Sequence, residues 1–188
     1  MNSHIGQPRL IILDRDGVLN ENRPDYVLRP EDWIPIPGSL EAVAHLQARG
    51  HTVVVATNQS AVGRGLLTPT ALEAVHARMR VLLASAGVSD IDVYICPHGP
   101  SDGCDCRKPA PGLYRRILAE HPHSLELVDV VGDARRDLVP AWTLGLSAHL
   151  VRSGLGCLAE HELSDTERLR TTVHNSLADY ARRVTEPL

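Results

Sequence analysis

Five short apolar runs rich in Val, Ile and Leu, at 10–14, 52–57, 91–95, 127–131 and 147–151, recur along this 188-residue chain with helix-patterned segments between them. Strand alternating with helix predicts an α/β fold, a doubly wound Rossmann-like parallel sheet. Start and stop chemistry agrees with this reading. Ser39–Arg49 is closed by Gly50, and Pro69–Ala86 is opened by Thr68 and closed by Gly87. A third helix is expected from Pro111 to His121, and a fourth from about Arg135 to just before Gly145. The segment 164–184, rich in both charge signs, is predicted to form one amphipathic C-terminal helix. The length suits a single domain over 1–188 with a substantial core and no large cap domain.

In an open α/β sheet, ligands bind beyond the carboxyl ends of the strands, and the polar residues of this chain collect there. Leu10-Ile11-Ile12-Leu13 runs directly into Asp14-Arg15-Asp16-Gly17. Charge at the end of a buried strand is costly, although Asp and Gly also suit an ordinary turn. With a strand order resembling 3-2-1-4-5, Asp133 after Val130-Val131-Gly132 faces the same crevice as Asp14, and Asp137 follows one helical turn later. Asp133 by itself reads equally well as a helix N-cap. Strand two ends in Thr57-Asn58-Gln59-Ser60, followed by Gly63-Arg64-Gly65, and Arg107-Lys108-Pro109 precedes the third helix. Singly, Thr57 is a turn residue, and Arg64 and Lys108 are solvated surface. Together the acidic groups, hydroxyl and lysine make one device: hard oxygen ligands select Mg²⁺, while the hydroxyl and lysine balance phosphoryl charge.

Cys96, Cys104 and Cys106 crowd beside His98 in the loop 96–106. Three thiolates and one imidazole suffice for a closed tetrahedral zinc site, with free cysteines as the alternative. Cys157 stands apart and reads as a free thiol. A net charge of -4 and a pI near 6.2 offer no general attraction to nucleic acid or an acidic membrane surface. No apolar run approaches the roughly 18 residues of a membrane span, and Met1–Pro8 lacks the apolar core of a signal peptide. The expectation is a cytoplasmic protein whose partner is a small anionic molecule drawn in by local cations.

Asp14-Arg15-Asp16-Gly17, Thr57-Asn58, Lys108 and Gly132-Asp133 with Asp137 resemble the four motifs of the haloacid dehalogenase superfamily of phosphotransferases. More narrowly, these motifs with Gln59-Ser60, Gly63-Arg64-Gly65, the loop Cys96-Pro97-His98 to Cys104-Asp105-Cys106-Arg107-Lys108-Pro109, and Pro111-Gly112 resemble the D-glycero-D-manno-heptose 1,7-bisphosphate phosphatases. The resemblance covers about residues 9–152. It implies a Mg²⁺-dependent hydrolase that removes the C7 phosphate of a sugar bisphosphate through an aspartyl phosphate on Asp14. Asp16 is implied as the acid and then base, and Thr57 and Lys108 as stabilisers of the transferring phosphoryl. Mg²⁺ would be held by Asp14, Asp133 and the main-chain carbonyl of Asp16. Structural Zn²⁺ would be held by Cys96, His98, Cys104 and Cys106. Substrate contacts are implied for Asn22, Asn58, Gln59, Ser60, Arg64 and Arg107. Some family members place a lysine directly after the Gly-Asp of the fourth motif, where this chain has Ala134 followed by Arg135 and Arg136. Histidinol-phosphate phosphatases resemble the chain in the same motifs, and a non-catalytic sugar-phosphate-binding protein is the reading from another class. A monomer is expected.

Overall fold

The computed structural model describes residues 7–185. Its centre is β1 (Leu10–Leu13), whose four residues are all fully buried. A strand covered on both faces must be apolar throughout, and this one is flanked in parallel by β2 (Thr52–Asn58) and β4 (Val128–Gly132). With β3 (Asp92–Cys96), β5 (Ser147–Val151) and β6 (Thr171–His174) the sheet is six-stranded, all parallel, in the order β3-β2-β1-β4-β5-β6. The chain winds outward from β1 in one direction and then from β4 in the other, so the switch point falls between these two strands, as expected from the sequence.

Residues alternate between two cores. Ile11, Leu13, Val53, Val55 and Val131 face Val43 and Leu46 of α1 (Ser39–Ala48), Val75 and Met79 of α3 (Pro69–Ser85), and Tyr180. Leu10, Ile12, Val54 and Val130 face Tyr114 and Ile117 of α4 (Gly112–Glu120), Leu138 and Ala141 of α5 (Arg135–Leu144), and Ala159 of α6 (Gly156–Glu162). Thr68 caps α3, its Oγ1 accepting from the Ala71 N–H at 3.1 Å, and Pro69 stands at the first helical position. The short α2 (Ser60–Gly63) follows β2 directly.

The C-terminal segment differs from expectation. In place of one helix over 164–184 the chain forms α7 (Asp165–Arg168), β6, and α8 (Leu177–Thr185). Thr171-Thr172-Val173 is β-branched and pairs with the open edge of β5, which outweighs the helical charge pattern. Asn175-Ser176 then restarts the helix: the Ser176 hydroxyl accepts from the Asp179 N–H at 3.2 Å, while the Asp179 carboxylate accepts from the Asn175 N–H at 3.0 Å. Among the described residues no helix is long and apolar enough to cross a membrane.

Candidate active site

The carboxyl end of β1 delivers Asp14 to the switch point. Its N–H extends the ladder to the Val131 carbonyl at 2.9 Å, and the chain turns away at Gly17, whose φ is +86°. Glycine is required there twice over. The left-handed backbone disfavours other residues, and a Cβ would overlap Asp133 Oδ2. Asp133 and Asp137 arrive from the end of β4 and the first turn of α5, both fully buried. Oxygens of Asp14, Asp133 and Asp137 lie within 4.8 Å of one another.

Lys108 is the cation that makes this cluster tolerable. Its Nζ donates to Asp14 Oδ1 at 2.8 Å and the Ala56 carbonyl at 2.7 Å, and pairs with Asp137 Oδ1 at 2.8 Å. Burial disfavours its charge, but the two carboxylates more than offset that and hold its pKa above the ordinary lysine value. Asn58 fixes the backbone that carries it, accepting from the Lys108 N–H at 3.0 Å and donating to its carbonyl at 2.9 Å.

One lysine does not balance three acids. Burial and the repulsion of Asp137 push Asp14 up to about 6 despite Lys108. Burial, Asp137 and Asp14 push Asp133 up to about 7. Asp133 Oδ2 accepts from the Leu155 N–H at 2.8 Å and from Asn22 Nδ2 at 3.3 Å, whereas its buried Oδ1 accepts no hydrogen bond among the described residues. Hard oxygen donors this close together, with Asp133 Oδ1 left without a hydrogen bond among the described residues, fit a small divalent cation such as Mg²⁺.

Asp16 occupies a different environment. Its carboxylate is not in the cluster of three; it accepts from Arg15 Nε at 3.2 Å and Nη2 at 2.9 Å, Asn20 Nδ2 at 2.9 Å and Gln59 Nε2 at 3.1 Å. Burial raises its proton affinity, but the Arg15 charge and these hydrogen bonds hold its pKa below the usual carboxylate value. Arg15 is itself buried against His76, with Nη1 and Nε2 3.2 Å apart. Burial and Arg15 push His76 down to about 3, so the ring is neutral and Nε2 accepts. Gln59 Nε2 also donates to Thr57 Oγ1 at 2.9 Å.

Above these groups lies a cavity of about 270 Å³. Asp14, Asp16, Asn22, Thr57, Asn58, Gln59, Ser60, Arg64 and Arg107 all line it, joined by Arg23, next to Asn22 in the loop after β1, and by Arg15, Tyr26 and Arg136, for which the sequence offers no such signal. Lys108 and Asp133 lie buried beneath. Tyr26 stands on the wall with φ +63°, a left-handed conformation unusual for an aromatic residue.

Beside the cavity, the four residues proposed for zinc converge. Sγ–Sγ distances are 3.7 Å for Cys96–Cys104, 3.2 Å for Cys96–Cys106 and 3.6 Å for Cys104–Cys106, with His98 Nδ1 3.6 Å from Cys96 and 3.3 Å from Cys106. A tetrahedron with bonds of about 2.3 Å to sulfur has edges of about 3.8 Å, so the donors already sit near coordinating positions. The loop is pinned to α2 and its N-cap: Gly63 N–H donates to the Pro97 carbonyl at 2.8 Å, and Gln59 N–H to the Cys96 carbonyl at 2.7 Å. At its far end Arg107 Nη1 donates to the His98 carbonyl at 3.2 Å.

A family model described as HAD-hydrolase-like matches residues 105–180. The chain is 44% identical to the D-glycero-beta-D-manno-heptose-1,7-bisphosphate 7-phosphatase of Pseudomonas putida, across 94% of this chain and 99% of that one. It is 39% identical to the D-glycero-alpha-D-manno-heptose-1,7-bisphosphate 7-phosphatase of Mycobacterium tuberculosis, across 76% of each. Among solved structures, D,D-heptose 1,7-bisphosphate phosphatase from B. bronchiseptica, complexed with magnesium and phosphate, superposes with a TM-score of 0.88 at 43% identity, covering 94% of this chain and 97% of the other.

Proposed function

Given that the chain belongs to the heptose 1,7-bisphosphate 7-phosphatase family of HAD-like hydrolases, we propose that it removes the C7 phosphate of D-glycero-D-manno-heptose 1,7-bisphosphate, with Asp14 as nucleophile. The observation that carries this reading is Lys108 bridging Asp14 and Asp137 beside a buried Asp133 whose Oδ1 is open. A carboxylate held by a buried ammonium is oriented for attack, and its partner acids supply the donors for a cation.

The chain's own groups account for the steps. Asp14 attacks phosphorus and forms an aspartyl phosphate, dividing one difficult displacement into two. Asp16, aimed by Arg15, Asn20 and Gln59, gives a proton to the leaving sugar oxygen and then takes one from the hydrolytic water. A phosphoryl group entering beside Asp16 raises its proton affinity, the direction its acid role requires. Thr57 and Lys108 oppose charge on the transferring oxygens. Asp14, Asp133 and the Asp16 main-chain carbonyl would hold Mg²⁺, which when bound neutralises charge on both nucleophile and phosphate. Asn22, Ser60, Arg64 and Arg107 are the sugar and remote-phosphate contacts. Asn58 and Gln59, expected to touch substrate, also act on Lys108 and Asp16 through the bonds described above.

The thiol and imidazole cluster fits structural Zn²⁺, which leaves no open coordination position and keeps Arg107 and Lys108 in place. Reduced thiols of this kind belong to a reducing compartment, which supports a cytoplasmic location; with it goes a reading of the chain as a single-domain monomer acting on a small sugar phosphate. The β anomer is the expected better substrate, because the relative matched over 94% of the chain is named for it. The test is Mg²⁺-dependent phosphate release from both anomers and from histidinol phosphate. A heptose preference of about 100-fold in kcat/KM, roughly 2.7 kcal/mol, is expected; equal or faster turnover of histidinol phosphate would overturn the substrate.

A further inference from the structure

The two arginines that open α5 part company. Arg135 turns outward and donates to Glu167 Oε1 from Nε at 2.9 Å and Nη2 at 2.6 Å. Arg136 lines the cavity with Asp14, Asp16 and Thr57. Its nearest charge is Asp133 Oδ1, 3.8 Å from Nη2, and it makes no hydrogen bond to any described residue. A guanidinium carries five N–H donors in a planar fork that matches phosphate. Here all five are open in a cavity bordered by acids.

Lys108 and Arg15, the cations in direct contact with those acids, are already committed. The Lys108 ammonium donates to Asp14 and the Ala56 carbonyl and pairs with Asp137. Arg15 is taken by Asp16 and His76. Arg64 and Arg107 line the same cavity but pair with none of those carboxylates, and Arg107 Nη1 is held by the His98 carbonyl. An anionic phosphoryl group over Asp14 therefore meets four carboxylates, and among the described residues Arg136 is the cation within 4 Å of them whose N–H groups make no hydrogen bond.

We propose that Arg136 is a phosphate-binding residue, whose guanidinium grips the outer oxygens of the phosphoryl group held over Asp14. The proposal rests on the reading above that this cavity takes a phosphoryl group. The competing role is screening: Arg136 would merely temper the charge of Asp133 until a cation occupies it. The two roles differ in what happens when phosphate binds.

The experiment is calorimetric titration of inorganic phosphate into the Mg²⁺-saturated protein, for wild type, Arg136→Met, Arg136→Lys and Arg135→Met. Phosphate binding is expected to weaken about tenfold in Arg136→Met, to recover in part in Arg136→Lys, which keeps charge but loses the fork, and to stay within about twofold in Arg135→Met. Tighter Mg²⁺ binding by Arg136→Met with phosphate affinity unchanged would overturn the proposal in favour of screening. Should Arg136→Met fail to fold, phosphate affinity in Arg136→Lys indistinguishable from wild type would overturn it equally. Turnover of the heptose bisphosphate by the wild type reports separately on the function: if it fails while phosphate still binds through Arg136, the substrate falls and the anion site stands. If the wild type binds no phosphate, both fall.

Discussion

Two aspartates at opposite ends of β4, Asp129 near its start and Asp133 just beyond its last residue, share a depth of burial but not an environment. Asp129, at the amino end, accepts from Arg9 Nε at 2.8 Å and Nη2 at 2.7 Å and from the Tyr180 hydroxyl at 2.7 Å. Burial works against its charge, but His149 and Arg9 outweigh it and hold the pKa far below the usual value. Asp133, just past the carboxyl end, keeps one oxygen without a hydrogen-bond donor among the described residues and is pushed up to about 7 by burial and by Asp137 and Asp14. A buried carboxylate that the fold satisfies is part of the framework. One left open among like charges marks where a bound cation or phosphate completes what the protein omits.

The comparison is most easily broken at Asp14, which belongs to the open end. Asp14→Asn is expected to reduce turnover by at least about 10³-fold while circular dichroism and the melting temperature stay near wild type. Near wild-type turnover in a folded, purified variant would remove the nucleophile and the mechanism with it.

A paired substitution tests the two ends of β4 directly. Asp129→Asn leaves Arg9 without its charge partner and is expected to destabilise the fold by about 3 kcal/mol in urea unfolding, with kcat within about twofold of wild type. Asp133→Asn is expected to do the reverse, leaving metal-free stability unchanged or improved and weakening Mg²⁺ by at least about tenfold. Equal stability losses from the two variants would mean that the open lone pair on Asp133 is no different in kind from the satisfied Asp129.

How much of this was legible beforehand follows the same division. The strands of the central sheet, their order and the acids at their ends follow from continuous apolar runs that stop at Asp14 and Asp133. β6 was hidden because three β-branched residues in a charged segment form a strand only where β5 offers an edge. Nothing in the sequence marks Arg15 as buried; what pairs with it in the interior is Asp16 and His76 of α3, 61 residues away. Arg135 and Arg136 cannot be told apart by type, and the roughly 100° between successive helical residues sends one to Glu167 and the other into the cavity. Asn58 and Gln59 were expected to meet substrate, and both line the cavity, yet their amides also hold Lys108 and Asp16. The side chain beside a catalytic group is visible in sequence; which atom it turns toward is decided by packing.

The Cys96, His98, Cys104 and Cys106 cluster sets a third environment beside these two, soft donors rather than hard ones. Metal analysis is expected to find about one zinc per chain. Cys104→Ser is expected to lose that zinc and about tenfold in turnover through displacement of Arg107 and Lys108. Zinc-free protein of full activity would reduce the cluster to packing.

The smallest effect is the dependence of stability on pH. Asp14 and Asp133 have folded pKa values of about 6 and about 7 without a cation, above the ordinary value of 3.8. Between that value and about 7 the folded protein therefore binds more protons than the unfolded chain, so their contribution to stability falls as pH rises. His76 and His174 act oppositely: burial pushes them down to about 3 and about 4, and they favour folding increasingly as pH rises toward 6.5. The two slopes oppose each other in wild type, and Asp133→Asn removes part of the first. Metal-free wild type is thus expected to lose melting temperature relative to Asp133→Asn between pH 5 and pH 8, by about 3 °C for each kcal/mol. Saturating Mg²⁺ is expected to abolish that difference in slope, because a carboxylate bound to a cation no longer takes up the proton. Parallel pH profiles for the two metal-free proteins would show that Asp133 is not strained by its neighbours, and would erase the contrast with Asp129.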